Sequence, residues 1–181
     1  FLHVGTFDRR KNLPLLVQAY SKYRSQASSP KKLVLAGGPG QSRQMNDFPI
    51  VEQLVAELGL QNQVLLPGYL SDGEIKALYE NAFAYAFPSH NEGFGIPILE
   101  SMGFGVPVIH SDQAALLEVA GGSGLPFHTG NLDDLTEKMI LLDREKELRT
   151  QLIHRGKERA KDFSAEKFID AFHRLMLSPR H

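Results

Sequence analysis

The sequence feature that most constrains the fold is a repeated pattern: a short, unbroken apolar run ends at glycine or proline, and a helical stretch follows. Runs of this length, bounded by turn residues, predict strands. The predicted strands are 1–5, 33–36, 64–66, 82–87, 106–109 and 125–127. The predicted helices are 13–24, 49–58, 71–79, 96–102 and 132–177, the last with breaks near 143 and 162–164. Asn12 and Ser71 are predicted N-caps, and Glu74 completes a capping box with Ser71.

Unbroken apolar strands that alternate with helices are typical of a parallel sheet covered by helices on both faces. Right-handed crossovers then make the fold doubly wound. We therefore predict an α/β, Rossmann-like, doubly wound domain with a mainly parallel sheet of about six strands. Ligands of such sheets bind beyond the carboxyl ends of the strands, so the loops that follow strands are the candidates for a functional site.

Composition indicates a single domain that binds neither nucleic acid nor a membrane. The 181 residues fit one domain, and a formal net charge of −1 gives no attraction for a polyanion or an acidic membrane surface. No apolar run approaches the roughly 20 residues of a membrane helix, and the absence of cysteine excludes a disulfide framework. We predict a cytoplasmic location. The chain begins without methionine and enters a core strand at once, which predicts that another domain precedes it.

The segment NEGFGIPILE, at residues 91–100, carries the strongest functional signal. Gly93 and Gly95 allow the backbone to approach a ligand closely, and the helix start that follows favours an anion. Glu100 lies about one turn into that helix, where its carboxylate can accept hydrogen bonds from vicinal sugar hydroxyls. Glu92 precedes the turn and can contact a second sugar beyond the anion. An ordinary turn with two solvated glutamates is the alternative that these ten residues leave open.

The loop at residues 5–12, after the first predicted strand, supplies positive charge. Arg10 and Lys11 can place two cations against the outer phosphate of a diphosphate. A charge pair before a helix is more often a solvated surface, so the loop alone decides little. Together, this loop and residues 90–95 predict a site for a nucleotide diphosphate-sugar, with the phosphates between the helix start and the cations.

Other motifs indicate neither a cofactor nor a metal. The run GGPGQS at residues 37–42 lacks the third glycine of a dinucleotide fingerprint and does not follow the first strand, which argues against a nicotinamide cofactor. The seven histidines show no metal-binding spacing. The basic stretch at 144–161 is interleaved with acidic residues, as on a solvated helix face, and does not indicate nucleic-acid binding.

An ordered set of motifs places this chain close to a known family. The segments VGTFDRRKN, LVLAGGPG, VLLPGYLSDGEIKALYENA, PSHNEGFGIPILESMGFGVPVIHSD and LLEVAGGSGLPF occur in this order. Over residues 1–165 they closely resemble the C-terminal, nucleotide-sugar-binding domain of GT-B glycosyltransferases. The likeness is to the large group of retaining enzymes that includes many bacterial mannosyl- and glucosyltransferases.

The resemblance implies a role for each matching residue. Glu92 contacts the donor hexose, Glu100 binds the ribose and Lys11 binds phosphate. Many relatives carry an arginine where this chain has Thr6, and Arg10 supplies the charge instead. The resemblance implies further donor contacts, largely through backbone groups, and it places Tyr69 and Leu70 near the base. These residues are Gly5, Thr6, Gly37, Tyr69, Leu70, Gly93, Phe94, Gly95 and Ile96. The loop after Asp112, where relatives show glycines, is expected to be stiffer because it holds Ala114, Ala115 and Leu117.

The resemblance also implies the reaction. The chain would be the donor-binding half of a transferase that moves a hexose to a glycan or lipid-linked acceptor with retention of configuration, with GDP-mannose as first choice of donor and a UDP-sugar as the other. Glu92 and Lys11 are the expected catalytic residues, without a carboxylate nucleophile, metal or cofactor. A preceding domain would bring the acceptor and any membrane association, so the chain alone would bind donor weakly and transfer nothing. A non-catalytic nucleotide-sugar-binding module and a GT-B sugar-nucleotide epimerase are the alternatives.

Overall fold

Six parallel strands form the central sheet in the computed structural model of this chain, which describes residues 1–40, 44–164 and 167. The sheet order is β3-β2-β1-β4-β5-β6, and every neighbouring pair is parallel. The predicted doubly wound fold is confirmed. The strands are β1 Leu2–Val4, β2 Leu33–Ala36, β3 Val64–Gly68, β4 Tyr85–Phe87, β5 Val108–Ser111 and β6 Leu125–Phe127.

Helices cover both faces of the sheet. They are α1 Leu13–Gln26, α2 Phe48–Glu57, α3 Asp72–Glu80, α4 Ile96–Gly103, α5 Ala114–Ala120, α6 Leu132–Arg144 and α7 Lys146–Lys161. Apolar residues of α1, α2 and α6 form one buried cluster, whereas α3, α4 and α5 contribute to a second cluster. Because strands that are buried on both faces need apolar residues at successive positions, this arrangement explains the unbroken apolar runs in the sequence.

The two predicted helix caps have different outcomes. Ser71 forms the predicted capping box: its Oγ accepts from the Glu74 N–H at 3.4 Å, and the Glu74 carboxylate accepts from the Ser71 N–H at 2.8 Å. Asn12 holds the predicted N-cap position of α1, but its side chain makes no capping hydrogen bond. Its left-handed backbone, with φ of 53°, instead ends the 3-10 turn Arg9–Lys11, as its N–H donates to the Arg9 carbonyl.

Several predicted boundaries need correction. β4 begins three residues after the predicted start at 82, and β5 covers Val108–Ser111 instead of 106–109. Residues 114–120 form α5, where the sequence predicted only a stiff loop. The predicted break near 143 is present between α6 and α7, and α7 ends at Lys161. The continuation of the last predicted helix to 177 lies outside the described residues, except for position 167.

Candidate functional site

The candidate site lies where the strand order reverses, between β1 and β4. The loops at residues 5–12, 37–40 and 90–95 follow β1, β2 and β4 at their carboxyl ends, which is where doubly wound sheets bind ligands. Backbone contacts join these loops. The His90 N–H donates to the Arg10 carbonyl at 2.8 Å, and the Gly5 N–H donates to the Ala36 carbonyl at 2.9 Å. The loops at residues 5–12 and 90–95 are therefore in contact, and the first of them adjoins the end of β2.

Arg10, Lys11 and Glu92 form one ionic network. Lys11 Nζ lies 2.6 Å from Glu92 Oε1, and Arg10 Nη1 lies 2.8 Å from Glu92 Oε2. The Lys11 and Glu92 side chains are only 9% and 8% exposed, so this pair is held away from bulk water. Asp8 Oδ2 also lies 3.7 Å from Arg10 Nε, so two carboxylates balance the two cations, and an anion would bind through donor groups that the cations still have free. An ammonium group can donate three hydrogen bonds and a guanidinium five, which leaves capacity for phosphate oxygens.

Two uncharged rings lie near Lys11, those of Phe87 and His3. Lys11 Nζ lies 4.7 Å from the centroid of the Phe87 ring, a cation–π contact. His3 lies in β1 with its Nδ1 donating to the Ala86 carbonyl at 2.9 Å. Burial lowers the pKa of His3 to about 4, so its imidazole is neutral at ordinary pH. The positive charge of this crevice therefore comes from Arg10 and Lys11.

The start of α4 contains Gly93, Phe94, Gly95 and Ile96. Gly95 is the N-cap residue with φ of 91°, and a Cβ there would lie 2.7 Å from Cδ2 of Leu116 in α5. The left-handed backbone therefore favours glycine, and any larger residue would also displace the end of the Leu116 side chain. Phe94 and Ile96 are exposed. Pro97 has no N–H, and the Ile98 N–H donates to the Gly95 carbonyl at 2.9 Å. The Ile96 N–H and the backbone before it are therefore the groups that this turn can offer to an anion next to the ionic network.

Glu100 lies one turn into α4, as the sequence predicted, and is exposed. Its Oε2 accepts a hydrogen bond of 3.1 Å from the hydroxyl of Tyr79 in α3. Tyr79 is buried in the core, as are Tyr20 and Tyr23 of α1. No sequence signal indicated the contact between Tyr79 and Glu100.

A cavity of about 200 Å³ opens beside the β1 and β2 ends. Five of its lining residues are predicted donor contacts, and four are not. Tyr69 is 75% exposed and its ring lies directly over Gly38, where a Cβ would come within 2.0 Å of the ring. The lining is largely apolar, which suits a flat aromatic ligand group. The lining residues are Val4, Gly5, Thr6, Ala36, Gly37, Gly38, Tyr69, Leu70 and Ile75.

Gly37→Ala is expected to lower the free energy of unfolding by about 3 kcal/mol, because it combines backbone strain with overpacking. Gly37 has φ of 142°, and a Cβ there would lie 1.9 Å from the Gly5 carbonyl oxygen. Urea unfolding of the chain measures the change. Gly73→Ala is the matched control, since Gly73 lies in α3 with no atom near its Cβ position, and it should be neutral or stabilising by about 1 kcal/mol or less. Equal stability of wild type and Gly37→Ala would contradict the close loop contact.

The described part of the chain contains neither a metal-binding cluster nor a membrane-spanning helix. Within residues 1–40, 44–164 and 167, no cluster of three or more His, Asp or Glu side chains is arranged to hold a metal ion. Across the same residues, no helix combines the length and apolar composition that crossing a membrane requires.

The fold and the site define a class: a Rossmann-like domain whose switch-point crevice combines paired cations, carboxylates, a helix start and an apolar cavity, as nucleotide-binding domains do. Residues 1–159 match the family described as glycosyl transferases group 1, and the chain belongs to that family. The predicted resemblance to the C-terminal domain of GT-B glycosyltransferases is thereby confirmed.

Curated relatives include two mannosyltransferases of Escherichia coli. The O-antigen chain mannosyltransferase B is 33% identical over 165 residues, a match that covers 91% of this chain and 42% of the relative. The serotype-specific mannosyltransferase WbdA is 29% identical over 182 residues, covering 98% of this chain and 22% of the relative. The chain thus spans less than half the length of these proteins.

Solved structures share the fold. Sucrose-phosphate synthase from Thermosynechococcus elongatus superposes with a TM-score of 0.84 at 27% identity, over 97% of this chain and 44% of that one. HepE from Anabaena in complex with UDP-glucose superposes with a TM-score of 0.84 at 20% identity, over 97% of this chain and 47% of that one. The second likeness supports the fold alone.

Proposed function

We propose that this chain is the donor-binding half of a retaining glycosyltransferase that moves a hexose from a nucleotide diphosphate-sugar to a glycan or lipid-linked acceptor. The observation that carries the proposal is the ionic network of Arg10, Lys11 and Glu92 beside the start of α4. Family membership and the mannosyltransferase relatives support it. A preceding domain would bring the acceptor.

Each part of the site takes one part of the donor. The base enters the cavity beside Tyr69, and the ribose hydroxyls donate to Glu100. The diphosphate lies between the start of α4 and the cations Arg10 and Lys11. The hexose lies next to Glu92, whose carboxylate accepts from its hydroxyls. In this arrangement the ammonium group of Lys11 and the guanidinium group of Arg10 face the most negative part of the ligand.

Transfer then breaks the bond between the anomeric carbon and the donor phosphate oxygen, and the acceptor oxygen bonds to the same face of the sugar. The acceptor proton passes to the departing phosphate oxygen. Lys11 and the helix start stabilise the charge that develops on the diphosphate, and Glu92 holds the hexose in position. Glu92 is neither nucleophile nor base in this mechanism, so no second carboxylate is needed opposite it.

Mannose is the hexose that the relatives favour, because both Escherichia coli proteins are named mannosyltransferases. GDP-mannose is accordingly the proposed donor. Labelled donor and acceptor, supplied to the full-length protein, test the reaction itself. Transfer of the label with retention of configuration supports a retaining glycosyltransferase. Donor binding without a product indicates a non-catalytic binding module.

Glu100→Ala is expected to weaken donor binding by about tenfold or more, since hydrogen bonds to a charged acceptor are among the stronger ones. Calorimetric titration of the chain with GDP-, UDP- and ADP-sugars measures the affinity, with the strongest binding expected for GDP-mannose. Glu57→Gln is the control, because Glu57 lies at the end of α2 and contacts Gln53. Unchanged donor affinity in Glu100→Ala would overturn the ribose assignment.

A further inference from the structure

The hydrogen bond between Tyr79 and Glu100 ties an exposed carboxylate to a buried residue. Tyr79 is 2% exposed in α3, and its hydroxyl donates to Glu100 Oε2 in α4 at 3.1 Å. A glutamate on a helix surface ordinarily samples several rotamers and loses that freedom when it binds a ligand. A donor hydroxyl from a rigid neighbour removes part of this cost in advance.

The Tyr79 ring is held by its neighbours on both sides. It stacks with Phe104 at 5.3 Å between centroids and an interplanar angle of 1°, and with Tyr85 at 5.9 Å and 26°. Burial, reinforced by the charge of Glu100, raises the pKa of the Tyr79 hydroxyl. The group therefore stays protonated and serves Glu100 as a donor over the whole physiological range.

The same helix also borders the apolar cavity. Ile75 of α3 lines that cavity, and Tyr79 follows it by four residues, one turn along the same helix face. The hydroxyl of Tyr85, which stacks on Tyr79, donates to the carbonyl of Val4, another residue that lines the cavity, at 3.0 Å. The position of the Glu100 carboxylate is thus tied to the wall of the cavity that the proposed function assigns to the base.

We propose that Tyr79 is a positioning residue that fixes the Glu100 carboxylate for the ribose diol and so gives the site its preference for ribonucleotides. One carboxylate oxygen is occupied by the Tyr79 hydroxyl, and the other faces the two vicinal hydroxyls. This inference rests on the proposed function. It concerns a residue that touches no ligand and acts through Glu100.

The test compares ribonucleotide and dideoxynucleotide binding in the Tyr79→Phe variant. Phenylalanine keeps the ring stacking and removes only the hydroxyl. The chain is titrated with UDP and GDP, and the nucleotide that binds is compared with its 2′,3′-dideoxy form. Wild type should prefer the ribonucleotide, and Tyr79→Phe should lose about three- to tenfold in ribonucleotide affinity with no change for the dideoxy form.

Tyr20→Phe is the matched control. Tyr20 is a buried tyrosine of the other core cluster, and its hydroxyl donates to the Lys31 carbonyl at 2.9 Å. This variant should leave the ratio of the two affinities unchanged. Equal losses for both nucleotides in Tyr79→Phe, or no loss for either, would overturn the positioning role while wild type still prefers the ribonucleotide. Absence of that preference in wild type would instead overturn the ribose assignment of Glu100, and the proposal with it.

Discussion

Sugar transfer by the full-length protein is expected to fall by about a hundred- to a thousandfold when Lys11 is replaced by alanine. The Lys11 ammonium is largely shielded from water by the Phe87 ring and Glu92. On the proposed function, its charge would therefore act on a departing diphosphate with little screening. The value of kcat/KM with labelled donor measures the loss. Titration of the chain with UDP and GDP should show weaker binding in the same variant.

Lys22→Ala is the control for Lys11→Ala. Lys22 Nζ pairs with Asp133 at 2.6 Å, but both side chains are well exposed, and surface pairs of this kind contribute little. Transfer should be unchanged. Thermal unfolding of both variants separates a loss of chemistry from a loss of folding. A Lys11→Ala protein that folds normally and transfers at nearly the wild-type rate would contradict the catalytic role of this lysine.

Glu92→Gln is expected to change nucleotide binding and sugar transfer in opposite directions. Glutamine keeps the shape of the side chain but no longer competes as an anion for Lys11 and Arg10, which both bond to Glu92 in the structure. UDP and GDP should therefore bind the chain about three- to tenfold more tightly. Transfer by the full-length protein should fall about tenfold or more, because the hexose loses a charged hydrogen-bond acceptor.

Glu158→Gln provides the comparison for Glu92→Gln. Glu158 pairs with Lys161 at 2.6 Å on an exposed face of α7, so both measurements should match wild type. If Glu92→Gln instead weakened the binding of UDP and GDP, Glu92 would be supporting the cations and not competing with phosphate for them.

The strands were predictable as elements, whereas their ends depend on partners elsewhere in the chain. β5 extends through His110 and Ser111, two polar residues that the apolar pattern excluded. Both are buried because hydrogen bonds satisfy them: His110 Nδ1 donates to the Ser111 carbonyl at 2.9 Å, and Ser111 Oγ donates to the Ser89 carbonyl at 2.6 Å. Ser89 lies after β4, and no local pattern predicts that contact.

The sequence predicts which loops form the site, but it does not predict most of the side-chain contacts within it. Glycines, a helix start and a basic pair identify the loops because parallel strands bring their carboxyl ends to one edge. The bond between Lys11 and Glu92 joins residues 81 positions apart, and the bond between Tyr79 and Glu100 joins two helices. Spacing carries no information about such pairs. They depend on where the tertiary fold places α3 and α4, and on the packing of loops at the switch point.

The seam between the two halves of the sheet, where β1 meets β4, is a place where a bound ligand can stabilise the domain. β1 and β4 are paired in register only at Leu2 and Tyr85, whereas β1 and β2 are paired at three positions. The ionic network spans this seam, with Arg10 and Lys11 on one side and Glu92 on the other. A diphosphate held by those cations and by the start of α4 would add contacts between the two halves of the sheet. On the proposed function, the bound donor thus adds to the backbone hydrogen bonds that already cross this junction, from Leu2 to Ala84 and from His90 to Arg10, and its departure removes that addition.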